Sequence, residues 1–359
     1  MIHIMISKST RIPARVRSFP SSRFNHLYLT RYHHTEMEGL EHRCNIDAEP
    51  LHRYKPDGYH PLALGEVLNN GRYKIIHKLG WGGYSTTWAA KDEQTGRYVA
   101  VKIPISEAEK TNEYKVLQAI STLPKHHPGF SHVNQLLDTF TLVGPNGSHN
   151  CLVLEIVGPS VADIVEGYCK DDRLSSELAR VFSKQALQGL DFLAQNNIGH
   201  GVTRVDGKPV EHNLPTHLLL SSPVVKIIDF GEAFFNSDAP TTLHTPLSIF
   251  ELITGQPPFD SMMITPPNLV SQMIGITRDE LPSKWQAKWK EMNNGKITQP
   301  EVYSPLKEWM QEVYFDDYRE VEFTEKDILR AAELIDRMLK MEPSLRAVPS
   351  EILSDTWFD

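Results

Sequence analysis

In Leu79-Gly80-Trp81-Gly82-Gly83-Tyr84-Ser85-Thr86-Thr87-Trp88, three glycines interrupt sequence that otherwise forms strands. Tyr73 to Leu79 reads as one strand, and Ser85-Thr86-Thr87-Trp88 opens a second that is rich in β-branched and aromatic residues. A glycine fingerprint for a dinucleotide runs from a strand into a helix, so this strand-to-strand placement argues against a Rossmann domain. Glycines here let backbone amides approach a polyphosphate without a Cβ in the way, although an isolated loop of this kind is more often a plain hairpin.

Working outward, the turn Glu93-Gln94-Thr95-Gly96 leads to a third strand, Tyr98-Val99-Ala100-Val101-Lys102-Ile103, ending near Pro104. Lys102 is the lone charge in an apolar strand, and a partly buried ammonium needs an anionic partner. Standing alone it would be a snorkelling edge-strand lysine. Glu107 to Ile120 is helical, with Val116, Leu117 and Ile120 on one face, and Glu113 on that helix is the natural partner. Cys151 to Val157 reads as a buried strand, and Cys151 as a small hydrophobe within it.

Past Gly158-Pro159 the texture becomes helical. Ser175 to Gln195 repeats Leu178, Val181, Phe182, Ala186, Leu190 and Leu193 at three- and four-residue steps, with Ser175 or Ser176 as N-cap. Val224 to Ile228 reads as a strand with Lys226 inside it, and Lys326 to Leu339 as a late helix. At the end of the apolar strand stands Asp229-Phe230-Gly231. A carboxylate there, beside a glycine, suits magnesium, which takes one or two carboxylates together with phosphate oxygens and water.

Glycine hairpin, strand lysine, helix glutamate and Asp-Phe-Gly in this order match the protein-kinase signature set. The chain from about Tyr54 to Phe358 resembles the SR-protein kinase family and its fungal-type relatives. Its marks are Tyr54-Lys55-Pro56-Asp57-Gly58-Tyr59-His60-Pro61, Leu79-Gly80-Trp81-Gly82, Leu154-Glu155-Ile156-Val157-Gly158-Pro159-Ser160 and Lys226-Ile227-Ile228-Asp229-Phe230-Gly231-Glu232. Thr254-Gly255-Gln256-Pro257-Pro258-Phe259, Leu345-Arg346-Ala347 and Trp357-Phe358 continue the likeness.

The resemblance implies an α+β, bilobal protein-kinase-like fold with a small antiparallel β lobe and a larger, incomplete helical lobe. Residues 1–50 are expected as a disordered tail or transit peptide, 51–72 as a family-specific extension, 73–157 as the N-lobe and 158–359 as the C-lobe. It implies an ATP- and Mg2+-dependent serine/threonine kinase acting, as a monomer, on basic Arg/Ser-rich proteins. Leu79, Gly80, Gly82, Gly83, Thr87, Ala100, Lys102, Glu113 and Glu155 would bind the cofactor and Asp229 the metal. The cytoplasm or nucleus is the implied location, with the mitochondrion as the alternative through residues 1–35.

The pattern breaks in two places. The family loop H-R-D-x-x-x-x-N, or H-G-D in some relatives, carries the Asp that accepts the substrate proton and an Asn for a second magnesium. Here Ile198-Gly199-His200-Gly201-Val202-Thr203-Arg204 puts Val202 where that Asp belongs. Asp206 is the nearest catalytic candidate, but it is better explained by the turn Asp206-Gly207-Lys208-Pro209, and Asn213 lies seven residues on rather than five. Secondly, only 18 residues separate Gly231 from Phe250, leaving no room for the A-P-E segment and the Asp-bearing central helix. Arg346, which resembles the partner of the A-P-E glutamate, is therefore expected to be solvated or re-paired. Each junction reads well on both sides, the pattern of deleted blocks rather than of drift. The alternative function is a catalytically impaired pseudokinase that binds nucleotide or acts as a scaffold; a third possibility is a shortened product that folds poorly.

Composition sets the frame. The 359 residues are 40% hydrophobic, 9% aromatic and 23% charged, which excludes collagen-like, wholly disordered and disulfide-stapled chains and favours two lobes over one. Cys44, Cys151 and Cys169 form no CxxC pair, so a reducing compartment is expected. No run approaches the roughly 20 apolar residues of a membrane span, so a soluble chain without membrane contact is expected. Residues 1–35 hold six Lys/Arg and no acid, which resembles a mitochondrial transit peptide as much as a solvated tail. The remainder carries 31 Lys/Arg against 45 Asp/Glu, a net of −14, which argues against direct nucleic-acid binding and for basic partners. His33-His34, His126-His127 and His212/His217 lack cysteines at metal-ligand spacing, and Trp285 with Trp289 reads as a helix face packed on the large lobe.

Overall fold

A computed structural model describes residues 4–7, 49–106, 112–170, 173–199, 223–235, 249–256, 258–259, 265–292, 304–316 and 319–359. The strands are β1 (Ile4–Ser7), β2 (Val67–Leu68), β3 (Tyr73–Gly82), β4 (Ser85–Asp92), β5 (Tyr98–Pro104), β6 (Leu136–Gly144), β7 (Gly147–Glu155), β8 (Ile198–Gly199), β9 (Val224–Ile227) and β10 (Phe234–Phe235). The helices are α1 (Asn112–Thr122), α2 (Val161–Tyr168), α3 (Ser176–Gln195), α4 (Ile249–Thr254), α5 (Pro266–Thr277), α6 (Ser283–Met292), α7 (Leu306–Tyr314), α8 (Glu325–Met338) and α9 (Pro349–Leu353).

The small lobe is a six-stranded antiparallel sheet in the order β2-β3-β4-β5-β7-β6. β5, apart from Lys102, and the second half of β7, Cys151 to Leu154, are apolar because each is covered on both faces. Val99, Val101, Ile103, Cys151 and Val153 join Tyr73, Ile75 and Trp88 in a core of the small lobe alone. Ala100, Leu152 and Leu154, one residue out of phase, belong instead to the large core that runs through the second lobe. Alternation across the pleat thus lets one strand serve two cores. Val116, Leu117 and Ile120 of α1 are fully buried in that second cluster, so the helix bearing Glu113 lies on the same side of the sheet as Lys102.

In the large lobe α3 is central, with Phe182, Ala186, Phe192 and Leu193 buried. Its N-cap is Ser175, whose hydroxyl accepts from the Leu178 N–H. Capping boxes open α2 at Ser160 with Asp163 and α8 at Thr324 with Asp327. Gly129 brings the short turn Pro128–His132 onto α3, where a Cβ would stand 1.8 Å from the Gln188 carbonyl oxygen. α4 is only six residues long and ends at Gly255, in the left-handed region at φ +73°. Its Ile249, Phe250, Leu252 and Ile253 are buried, so the short span after Asp-Phe-Gly does not leave them exposed.

Two strands lie where the sequence marks none. Residues 4–7, assigned to a tail, form β1, which pairs antiparallel with β9 in the register Ile4 with Ile227 through Ser7 with Val224. β2, placed in the extension, adds an edge strand to the N-lobe sheet, pairing Leu68 with Tyr73. Trp285, on the helix face expected to pack on the large lobe, packs against the large core, and α6 has no fully buried residue. Among the described residues no helix is long and apolar enough to cross a membrane.

Candidate active site

The hydrogen-bond register lines Gly80, Thr87, Lys102 and Leu152 across β3, β4, β5 and β7. Opposed residues of antiparallel strands share one face, so Thr87 and Lys102 project to the side on which α1 packs. At Gly80 an added Cβ would meet nothing within 4 Å. The hairpin closes one turn further on, where Gly82 pairs with Ser85 across Gly83 and Tyr84. Leu79 is partly buried against the large core, and Ala100, 5% exposed, pairs with Ala89 and Leu154.

Lys102 donates to Glu113 Oε1 at 2.7 Å and to Asp229 Oδ1 at 3.3 Å. Burial alone would push its ammonium down, but the carboxylates of Glu113 and Asp229 outweigh that and hold it above the ordinary lysine value. Glu113 is 6% exposed at the side chain whereas Asp229 keeps 24%, so one carboxylate is a buried orienter and the other reaches solvent. Asp229 adopts the left-handed conformation, φ +61° and ψ 75°, between β9 and the short turn Phe230–Glu232. Asp tolerates this region better than most residues. Phe230 anchors the turn, 1% exposed in the same cluster as Val116, Leu117 and Ile120. β10 then pairs with β8, Phe235 opposite Ile198 and Phe234 opposite Gly199.

Glu155, expected among the cofactor-binding residues, stands at the end of β7. Its Oε2 accepts from Lys226 Nζ at 2.8 Å and from the Gln135 N–H at 3.2 Å. Lys226 is 7% exposed, so this pair braces the last strand of the small lobe to the strand that carries Asp229. Sequence reading noted Lys226 without giving it a partner; the lone ammonium inside an apolar strand was the available signal. The Asp206 candidate, together with Val202, lies outside the described residues. Arg346 is re-paired, its Nε donating to the Lys340 carbonyl at 2.7 Å, and burial lowers its pKa. His127 lies 3.2 Å from Asp191 and also accepts from the Gly129 N–H; no cluster of three or more His, Cys, Asp or Glu fit to hold a metal occurs among the described residues. Cys151 is fully buried, and burial pushes its thiol up to about 12.

The residues present fit a metal-bound polyphosphate: an ammonium between two carboxylates, one of them solvent-reaching, beside a hairpin with open space at Gly80. The fold is that of a protein kinase, and residues 73–247 match the protein kinase domain family. A kinase-domain crystal structure superposes with a TM-score of 0.58 over 84% of this chain and 99% of its own, at 17% identity, a likeness of fold. The serine/threonine-protein kinase SKY1 of Saccharomyces cerevisiae is 34% identical over 168 residues, 45% of this chain and 22% of that protein. SRSF protein kinase 3 of Homo sapiens is 34% identical over 163 residues, 44% and 28% respectively, and the kinase SRPK of Physarum polycephalum 38% identical over 172 residues, 46% and 38%. Over these stretches the chain is similar to SR-protein kinases. The matched stretches span well under half the length of these relatives.

Proposed function

We propose that the chain is an ATP-dependent protein serine/threonine kinase of SR-protein-kinase type that phosphorylates serines of basic, Arg/Ser-rich proteins. One observation carries this reading: Lys102 joins Glu113 of the small lobe to Asp229 of the large one beside the open glycine hairpin. Magnesium-bound ATP, when present, supplies the phosphoryl group and neutralises charge as it is transferred. Lys102 would hold the phosphates, Glu113 orients Lys102, Asp229 would ligate the metal, and Gly80, Gly82 and Gly83 leave backbone amides accessible. The net charge of −14 beyond residue 35 favours basic protein substrates over nucleic acid. We propose a monomer in the cytoplasm or nucleus.

A second reading, nucleotide binding without turnover, is favoured by Val202 alone. A positioned general base contributes about 10²- to 10⁴-fold, and Val202 cannot supply it. The test is transfer from radiolabelled ATP to an Arg-Ser-rich peptide by the full chain. Turnover abolished in Lys102→Ala supports the kinase. A thermal shift with Mg-ATP but no incorporation supports the second reading, and neither response removes both.

A further inference from the structure

The glycine hairpin is tied down by residues that precede the stretch 73–247. Tyr59, 1% exposed, donates its hydroxyl to the Gly82 carbonyl at 2.8 Å in a buried contact. The Tyr59 hydroxyl oxygen in turn accepts from Arg53 Nη1 at 3.2 Å, and the Arg53 guanidinium lies 4.9 Å from the Tyr59 ring centroid. The phenol is thus polarised by a cation on one side while it donates to a carbonyl on the other, which strengthens both bonds.

The tyrosine is itself held firmly. Its backbone carbonyl accepts from Asn146 Nδ2 at 2.6 Å, and its N–H donates to the Arg53 carbonyl at 3.0 Å. The Asp57 N–H reaches the Asn146 carbonyl at 2.8 Å, fixing this segment on the β6–β7 turn. Gly58 permits the tight path, since a Cβ there would stand 1.9 Å from the Arg53 carbonyl oxygen. A chain of contacts therefore runs from the β6–β7 turn through Tyr59 to the last residue of β3, two residues beyond Gly80 of the Lys102 row.

We propose that Tyr59 is a positioning residue for the nucleotide site, holding the glycine hairpin over Lys102 and Asp229 through its bond to the Gly82 carbonyl, with Arg53 in support. The nucleotide part of this inference rests on the function proposed above; the tether itself does not.

The test uses the full chain as wild type, Tyr59→Phe, Arg53→Met and the exposed-surface control Tyr98→Phe. Amide hydrogen exchange over residues 80–87 is measured without nucleotide, and the dissociation constant of a non-hydrolysable ATP analogue with magnesium by calorimetry. Removing one buried hydrogen bond should raise hairpin exchange and weaken the analogue by about three- to tenfold, with exchange in β5 and β7 unchanged. Arg53→Met should move both in the same direction by less, and it decides the matter if Tyr59→Phe does not fold. Wild-type exchange in the hairpin of both variants overturns the tether. Raised exchange with an unaltered dissociation constant overturns the positioning role. If the wild type binds no analogue, the proposed function fails while the exchange result still decides whether Tyr59 holds the hairpin.

Discussion

Lys226 Nζ and Glu155 Oε2 stand 2.8 Å apart, joining the end of the small-lobe sheet to the strand that leads into Asp229. The two partners are unequally buried, at 7% and 34% exposure, and that inequality sets the sign of a mutational comparison. Glu155→Ala strands a buried ammonium, whereas Lys226→Met leaves a carboxylate that water can reach. Glu155→Ala should destabilise by about 2 to 3 kcal/mol, below the range for a fully buried pair, and Lys226→Met by less. Denaturant unfolding of both variants measures the difference; equal losses, or the reverse order, would contradict the asymmetry.

Two glycine replacements should separate folding from binding. At Gly129 a Cβ meets backbone at 1.8 Å, so Gly129→Ala must shift α3 or the turn on it and should lower the melting temperature by several degrees. At Gly80 the added methyl meets nothing, so Gly80→Ala should melt like the wild type while weakening nucleotide binding by filling the space beside Lys102. Thermal unfolding with and without Mg-ATP reports both effects.

Lys102→Met removes the ammonium that both Glu113 and Asp229 face, and leaves the Glu113 carboxylate, 6% exposed, without it. It should therefore destabilise by about 1 to 3 kcal/mol besides abolishing nucleotide binding, and adding Glu113→Gln should recover part of that loss. The recovery appears as a non-additive double-mutant cycle; strict additivity would show that the pair is not coupled.

Acid sensitivity should come from two buried histidines, His60 of the extension and His132. His60, 5% exposed and 5.0 Å from the His149 ring, has its pKa lowered by burial and then by that neighbour; His132 is lowered by burial despite its contact with the Val225 carbonyl. A histidine whose folded pKa lies below its unfolded value contributes stability that is present above about 6.5 and is lost as pH falls below it, because the unfolded chain takes up the proton first. Unfolding free energy should fall between pH 7 and pH 5, and His60→Phe should flatten that slope. An unchanged slope would remove His60 from the account.

Much of this was legible in the order of residues. The three small-lobe strands, the apolar face of α1, the length of α3 and its Ser175 cap, and the pairing of Lys102 with Glu113 all follow from local periodicity and from an ammonium's need for a partner. What escaped depends on contacts that leave no local trace. The Lys226 and Glu155 side chains are 71 positions apart, and nothing in either strand names the other. The Tyr59 bond ends on a backbone carbonyl, which every residue has, so its acceptor carries no signature. β1 was hidden because an acid-free, Arg-bearing start reads as a tail, and its pairing with β9 is a long-range backbone ladder. The strand Val67–Leu68 is too short to show a period.

The central claim is that Lys102 and Asp229 together make a site for metal-bound nucleotide, and calorimetric titration of a non-hydrolysable ATP analogue into the full chain tests it most directly. The account predicts saturable, magnesium-dependent binding that weakens at least about tenfold in both Lys102→Met and Asp229→Asn, with both variants still folded. Binding that persists unchanged in either folded variant, or that is indifferent to magnesium, would contradict it.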